Sequence, residues 1–329
     1  MKDQQYKALV VEEKDGDYIR SVQTREIRDL PKGEVLIRVA YSSLNYKDAL
    51  SANGNKGVTK DYPHTPGIDA AGTVVASDTS RFQPGDEVIV TSYDLGMNTP
   101  GGFGEYIRVP ADWIVKLPEN LSLKESMIIG TAGLTAAISV MRFSEVVQPE
   151  EGPVLVSGAT GGVGSWSVAL LSASGYEVAA LTGKEKEAAY LKDLGANEVL
   201  LRKDFEAEDR RPMLSAKFAG GIDTAGGTIL ENMIKSTAPF GAITCCGNVA
   251  GAKLNLTVFP FILRGISLIG ISSQNYPMKY RIPAWEKMAG EWKSEKMLKA
   301  CREISLEELD DAFEKILKGA LKGRIVVKL

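Results

Sequence analysis

Residues 154–173 run from a short apolar strand (154–157) through Ala159-Thr160-Gly161-Gly162-Val163-Gly164 into a helix (163–173) that carries Val163, Trp166, Leu170 and Ala173 on one face. A glycine turn in that setting opens a strand–helix–strand unit of the dinucleotide-binding kind. Gly161 lets the backbone approach a pyrophosphate, and Gly164 lets helix and strand pack closely. The helix N-terminus favours the phosphate charge. Thr160, Gly161, Gly162 and Val163 are therefore candidate cofactor contacts. The alternation continues with strands at 177–181, 198–201, 222–225, 242–246 and 267–271, and with a helix from about 184 to 194 that stops at Gly195. This pattern implies a doubly wound parallel sheet with helices on both faces.

The tip of the second strand narrows the cofactor. A ribose-binding acid is expected about 20 residues beyond the turn. Leu181-Thr182-Gly183-Lys184 stands there instead, with no carboxylate at the tip. Thr182, Gly183 and Lys184 suit a 2′-phosphate, which a carboxylate would repel. Glu185 and Glu187 follow at once, so the local charge is mixed. The reading favours NADPH.

Composition excludes more than it assigns. The chain has 329 residues, 39 Lys and Arg against 42 Asp and Glu, a net charge of −3 and no basic block, which argues against nucleic acid as a partner. The least polar stretch, 128–141, is too short for a bilayer span, and residues 1–7 lack a signal pattern. With three Cys (Cys245, Cys246, Cys301) and one His (His64), neither a disulfide scaffold nor an ordinary zinc site is expected. A cytoplasmic protein is expected. Cys245 and Cys246 read as strand core. His64 lies between two prolines in Tyr62-Pro63-His64-Thr65-Pro66 and reads as loop packing.

The first third is different. Apolar runs at 6–11, 34–39, 72–75 and 87–90 are separated by turn signals such as Asp15-Gly16 and Pro84-Gly85-Asp86, which suggests a barrel or sandwich. A helical spacing begins at Leu123 and lasts to about Val140. At the far end, Ser305-Leu306-Glu307-Glu308 reads as a capping box for a helix to about Lys318, followed by one more strand at 323–328. A lone strand needs a sheet to join, and the first domain supplies one. The expected organisation is a discontinuous domain (1–122 plus 306–329) with an α/β domain (123–305) inserted.

Several segments carry a family resemblance over the whole chain: Ser42-Ser43-Leu44-Asn45-Tyr46-Lys47-Asp48, Pro66-Gly67-Ile68-Asp69-Ala70-Ala71-Gly72, Gly101-Gly102-Phe103-Gly104-Glu105-Tyr106, Gly130-Thr131-Ala132-Gly133-Leu134-Thr135-Ala136 and Pro260-Phe261-Ile262-Leu263-Arg264. The sequence resembles a zinc-free medium-chain dehydrogenase/reductase of the quinone oxidoreductase type, and within it the acryloyl-CoA reductase subgroup. The resemblance implies a GroES-like β-barrel domain with an inserted Rossmann domain, a nicotinamide held between them, and a homodimer formed through sheet edges, with 267–271 as the candidate edge.

Where the zinc enzymes of that family carry a catalytic Cys and His, this chain carries Asn45 and Ile68. Isoleucine has no ligand atom and Asn is a poor zinc ligand, so no Lewis acid polarises a carbonyl. Hydride delivery then suits a conjugate acceptor such as an unsaturated thioester, an enone or a quinone, whose enolate can be stabilised by hydrogen bonds. The resemblance makes Tyr46 and Asn45 the candidate catalytic residues, Tyr46 and Thr131 candidate nicotinamide neighbours with Asn248 and Ser272, and Asp48 a loop-orienting residue. Arg264, Lys279 and Arg281 are candidates for a coenzyme A phosphate strip. A non-catalytic NADPH-binding redox sensor is the alternative.

Overall fold

The structure, a computed structural model, describes residues 4–329, so Met1 to Asp3 of the polar N-terminal stretch lie outside the described residues. Two compact units emerge. One comprises the chain up to Thr131 together with Ser273–Lys293 and Ala300–Leu329; the other comprises Ala132–Ser272 and Ser294–Lys299.

In the first unit, β-branched runs pair into a seven-stranded mixed sheet. Its order is Cys301–Ile304, Arg324–Lys328, Val35–Ser43, Asp69–Ser77, Glu87–Thr91 and Ile114–Lys116, with Tyr106–Val109 also paired to Val35–Ser43. The last strand of the chain does join this sheet, antiparallel, with Val326 opposite Ser43 and Val327 opposite Ser42. Inward residues of the sheet build one core from Val35, Ile37, Val39, Val74, Val88, Val90, Ile107 and Val109. A second core gathers Leu9, Val11, Leu44, Phe103 and Val327 against Leu309 and Phe313 of the helix Leu309–Leu317. The capping box that starts this helical stretch is present, with the Ser305 amide donating to Glu308 Oε2 at 2.9 Å.

The second unit is a six-stranded parallel sheet in the order Glu198–Leu201, Val178–Thr182, Val154–Val156, Phe218–Asp223, Thr237–Cys245, Ser267–Gly270. Numbered along the chain that is 3-2-1-4-5-6, the doubly wound order whose direction of growth reverses beside the first strand. The helix Gly162–Ala173 follows the glycine turn as expected.

Three elements depart from the sequence reading. The helix expected at 184–194 is a tight turn at Glu185–Glu187 followed by a short helix, Ala188–Asp193. The helix beginning at Leu123 extends to Ser144 and breaks at Gly130, whose φ of 51° is not helical. Its length and apolar character suffice for a membrane span, yet 83% of its most apolar window is buried within protein, as in a core helix. Finally, residues 123–131 and 300–305, together with the segment Ser273–Lys293, are placed in the inserted domain by sequence but belong to the first unit. Arg281 of the helix Met278–Ala289 fastens that segment there, donating to Thr91 O and Oγ1 at 2.9 and 2.8 Å.

Candidate active site

In the first unit, a buried polar network forms around Asp69. Its Oδ2 accepts from Ser43 Oγ at 2.6 Å, from Asn45 Nδ2 at 2.7 Å and from the Thr131 amide at 2.9 Å; its Oδ1 accepts from Thr131 Oγ1 at 2.6 Å. Because the Thr131 hydroxyl hydrogen goes to Asp69, Ser92 Oγ is the donor in its 2.8 Å contact with Thr131 Oγ1. Arg324, from the last strand, completes the set: Nη2 donates to Ser43 Oγ at 2.7 Å, Nη1 to Asn45 Oδ1 at 3.3 Å and to Leu44 O at 3.1 Å, and Nε to Ile128 O at 3.0 Å. Arg324 and Asp69 are themselves 3.9 Å apart, so Ser43 and Asn45 mediate between the two charges.

Gly130 makes room for this cluster. A Cβ there would stand 2.6 Å from Asp69 Oδ2 and Ser43 Oγ and 2.7 Å from Arg324 Nη2. The break in the helix is therefore the place where the network presses against backbone.

Asn45 and Asp48 bracket the first turn of the helix Tyr46–Ala52. Asp48 Oδ2 accepts from the Asn45 amide at 2.7 Å and Oδ1 from the Ile68 amide at 2.8 Å. Burial, and then the Asp69 carboxylate, push its pKa up to about 7 against the opposing pull of these amides and Arg324. Tyr46 is the first residue of this helix and remains 40% exposed, while both neighbours of its backbone are pinned. Lys47 Nζ donates to Gln274 Oε1 at 2.7 Å, and burial holds its pKa below the usual lysine range.

The second unit carries the remaining candidates. At the glycine turn, a Cβ on Gly164 would lie 2.2 Å from Gly158 O, so only glycine lets the helix start this close to the strand. Thr160 Oγ1 and Thr182 Oγ1 are 3.3 Å apart, and Thr182 Oγ1 accepts from the Lys184 amide at 3.0 Å, which ties the turn to the second strand's tip. This cradle fits a dinucleotide. Asn248 and Ser272 line one cavity of about 550 Å³ together with Cys245, Cys246, Gly247, Gly270 and Ile271. Cys245, the last residue of its strand, packs against the apolar core of this sheet as expected, whereas Cys246 lies beyond the strand's end; both also line the cavity. Burial pushes the Cys246 thiol up to about 12.

Other candidates have structural duties. Arg264 donates to Lys235 O and Thr237 O at 2.9 and 2.8 Å and to Leu214 O at 2.6 Å. Arg281 is fully buried, its guanidinium 4.5 Å from the Tyr93 ring centroid. Both guanidinium groups are thus engaged in capping main-chain carbonyls. Exposed Lys279 sits over the Tyr280 ring at 4.6 Å. His64 is buried, with no hydrogen bond to Nε2 among the described residues, and burial lowers its pKa. Asp69, Ser43, Gly130 and Arg324 received no role from sequence, although the first three lie inside the segments that carry the resemblance.

Comparisons with known proteins agree with this architecture. Residues 31–119 match the family described as Alcohol dehydrogenase GroES-like domain, and residues 162–290 match Zinc-binding dehydrogenase. The Bacillus subtilis protein named quinone oxidoreductase YhfP is 46% identical over 326 residues, covering 98% of this chain and 99% of its own. Its crystal structure holds NAD and superposes with a TM-score of 0.96, covering 99% of this chain and 100% of that one. Acrylyl-CoA reductase AcuI of Ruegeria pomeroyi is 41% identical and covers 98% of both chains. The Salmonella enterica yhdH oxidoreductase, solved with NADP, is 42% identical with a TM-score of 0.96, covering 99% of this chain and 100% of that one. The chain belongs to the medium-chain dehydrogenase/reductase family, with a GroES-like domain and a Rossmann-type domain. At the two positions where the family's zinc enzymes place ligands it holds Asn45, with its amide committed to the network, and buried Ile68.

Proposed function

We propose that this chain, an NADPH-dependent oxidoreductase of its family, reduces an activated carbon–carbon double bond of the acrylyl-thioester kind, with quinones as the other acceptor class. The observation that carries the reading is the state of Asn45. Both amide hydrogens are used, on Asp69 Oδ2 and on Ser43 O at 3.3 Å, and its oxygen accepts from Arg324. With Ile68 contributing no ligand atom, the acceptor must be electrophilic without a metal.

NADPH, when bound, would supply a hydride for the β-carbon of an unsaturated thioester or enone. The remaining work falls to the chain. Tyr46, 40% exposed at a pinned helix start, is assigned to hydrogen-bond the carbonyl oxygen as enolate charge develops; the α-carbon then takes a proton from solvent. Asn45, being fully hydrogen-bonded, is assigned to position Tyr46 rather than to touch substrate. Thr160, Gly161, Gly162 and Val163 are assigned to the pyrophosphate, Thr182, Gly183 and Lys184 to the 2′-phosphate, and Asn248 and Ser272 to the nicotinamide. Three unpaired thiols support a cytoplasmic location. Exposed Phe240, Ile262 and Leu263 near the edge strand Ser267–Gly270 support a homodimer, which sedimentation equilibrium would resolve.

The direct test is the loss of NADPH absorbance on addition of acryloyl-CoA, an enone and a quinone in separate assays. Turnover of the thioester with formation of the saturated product supports the assignment. Turnover of the quinone alone moves the substrate to that class, and failure of all three overturns the proposal.

A further inference from the structure

Gly183 at the second strand's tip is covered by a side chain from the third strand. A Cβ on Gly183 would lie 3.1 Å from Arg202 Cζ, 3.2 Å from Nη2 and 3.3 Å from Nε. Three guanidinium atoms at nearly equal distance mean that the group lies flat over the glycine. The sheet register explains why: Leu201 pairs with Thr182, so Arg202 and Gly183 are the next pair beyond the hydrogen-bonded ladder. Both leave the sheet at the carboxyl ends of its strands, the edge where doubly wound sheets take their ligands. The glycine turn reaches the same tip through the Ala159 amide, which donates to Leu181 O at 3.1 Å, and through the Thr160–Thr182 contact.

The guanidinium is tethered on one side only. Arg202 Nε pairs with Glu206 Oε2 at 3.1 Å, and among the described residues no other ion partner is found. Both side chains are about half exposed, with 55% and 48% of their surface accessible. With more than half of the side chain accessible and no other ion partner found, the terminal nitrogens keep donors that suit a phosphate dianion. Lys184 lies on the other side of Gly183 along the chain, so two cations flank one glycine and no carboxylate occupies the tip itself.

We infer that Arg202, laid over Gly183, is a specificity-determining cation for the 2′-phosphate of the cofactor. The inference rests on the assignment of the glycine turn and the 182–184 tip to NADPH. Glycine at 183 is then required for space as much as for backbone freedom, and Glu206 holds the guanidinium in place while weakening its pull on a dianion.

The test uses the whole protein and measures binding rather than turnover. Titration calorimetry with 2′,5′-ADP and with 5′-AMP gives the affinity ratio for the 2′-phosphate alone. Arg202→Gln is expected to weaken 2′,5′-ADP by about ten- to a hundredfold and leave 5′-AMP within about twofold, as loss of a charge-assisted contact implies. Arg202→Lys should recover only part of the loss, because an ammonium lacks the fork. Glu206→Gln should tighten 2′,5′-ADP. An unchanged affinity ratio in Arg202→Gln, with the parent still preferring 2′,5′-ADP, overturns the role of Arg202 and leaves the NADPH assignment standing. A parent that binds the two nucleotides equally overturns both.

Discussion

Asn45 lies between two opposite charges: its Nδ2 donates to Asp69 Oδ2 at 2.7 Å, and its Oδ1 accepts from Arg324 Nη1 at 3.3 Å. An uncharged amide thus bridges a carboxylate and a guanidinium, both almost wholly buried. Ser43 makes the parallel bridge, accepting from Arg324 and donating to Asp69. The arrangement satisfies both charges without bringing them into direct contact, and it fixes the backbone from which Tyr46 projects.

Removal of the carboxylate charge should therefore be costly. Asp69→Asn takes from buried Arg324 its strongest countercharge and presents amide hydrogens to donors. Breaking a buried pair in this way costs about 3–5 kcal/mol. Denaturant unfolding with an unchanged slope is the measurement. A loss below about 1 kcal/mol would show that the network is not holding the charges.

Gly130→Ala tests the steric side of the same cluster. The substitution forces a residue with a Cβ into φ 51°, ψ −161°, a region almost confined to glycine, at about 1–3 kcal/mol, and pushes that Cβ into Asp69, Ser43 and Arg324, which adds about 1–3 kcal/mol. Gly319 has a φ of 63° with open space around it, so Gly319→Ala carries a positive-φ cost without the crowding and should lose less. Equal melting temperatures for the two variants would remove the crowding argument.

The sequence makes the second unit legible because its information is local. The turn at 159–164 and the strand–helix alternation depend on neighbours a few residues apart, and the capping box at Ser305 does too. The Asp15-Gly16 turn was visible, yet the strand Asp17–Glu26 it leads into was not, because that strand has little apolar alternation and only partly buried residues. What sequence could not show is long-range. Arg324 meets Asn45 from 279 positions away, and Arg281 meets Thr91 from 190. A separation of 19 residues is already enough to hide Arg202 from Gly183, which sheet register brings together. Arg264 and Arg281 read as candidates for a phosphate strip because sequence cannot reveal the distant carbonyls that they cap.

The raised pKa of Asp48 gives a pH dependence with a definite sign. The folded state keeps this proton up to about pH 7, whereas the unfolded chain releases it near 3.9. Between those values the folded state holds more protons, so this group lowers stability as pH rises and stops doing so above about 7, with a slope of up to about 1.4 kcal/mol per pH unit. Asp48→Asn cannot titrate but turns an amide NH₂ toward the amides of Asn45 or Ile68. The variant should be less stable than the parent at about pH 5 and recover part of the difference by about pH 8. A gap that stays constant over this range would mean that Asp48 is ionised throughout.

Chelation should leave activity intact. Ile68 offers no ligand atom, the Asn45 amide is committed, and among the described residues no group of three or more His, Cys, Asp or Glu is placed to hold an ion. Elemental analysis is expected to find no stoichiometric zinc. One zinc per chain that leaves together with activity would overturn the metal-free mechanism.

Tyr46→Phe separates chemistry from packing. The ring sits at the helix start, is 40% exposed and takes part in no ring–ring pair among the described residues, so removal of the hydroxyl alone should leave the melting temperature nearly unchanged. If the hydroxyl stabilises the enolate, the loss falls on kcat, by about ten- to a thousandfold. A raised KM with unchanged kcat would mean that it binds substrate equally in ground and transition states. Steady-state kinetics with NADPH and an acryloyl thioester distinguishes the two. The pairing with Asp69→Asn is informative as well: if the network acts by holding the backbone under Tyr46, the double variant should lose little more kcat than the worse single one, since both then remove one interaction. Full additivity of the two losses would separate Asp69 from Tyr46, and turnover of Tyr46→Phe within about twofold of the parent would end the catalytic assignment of this residue.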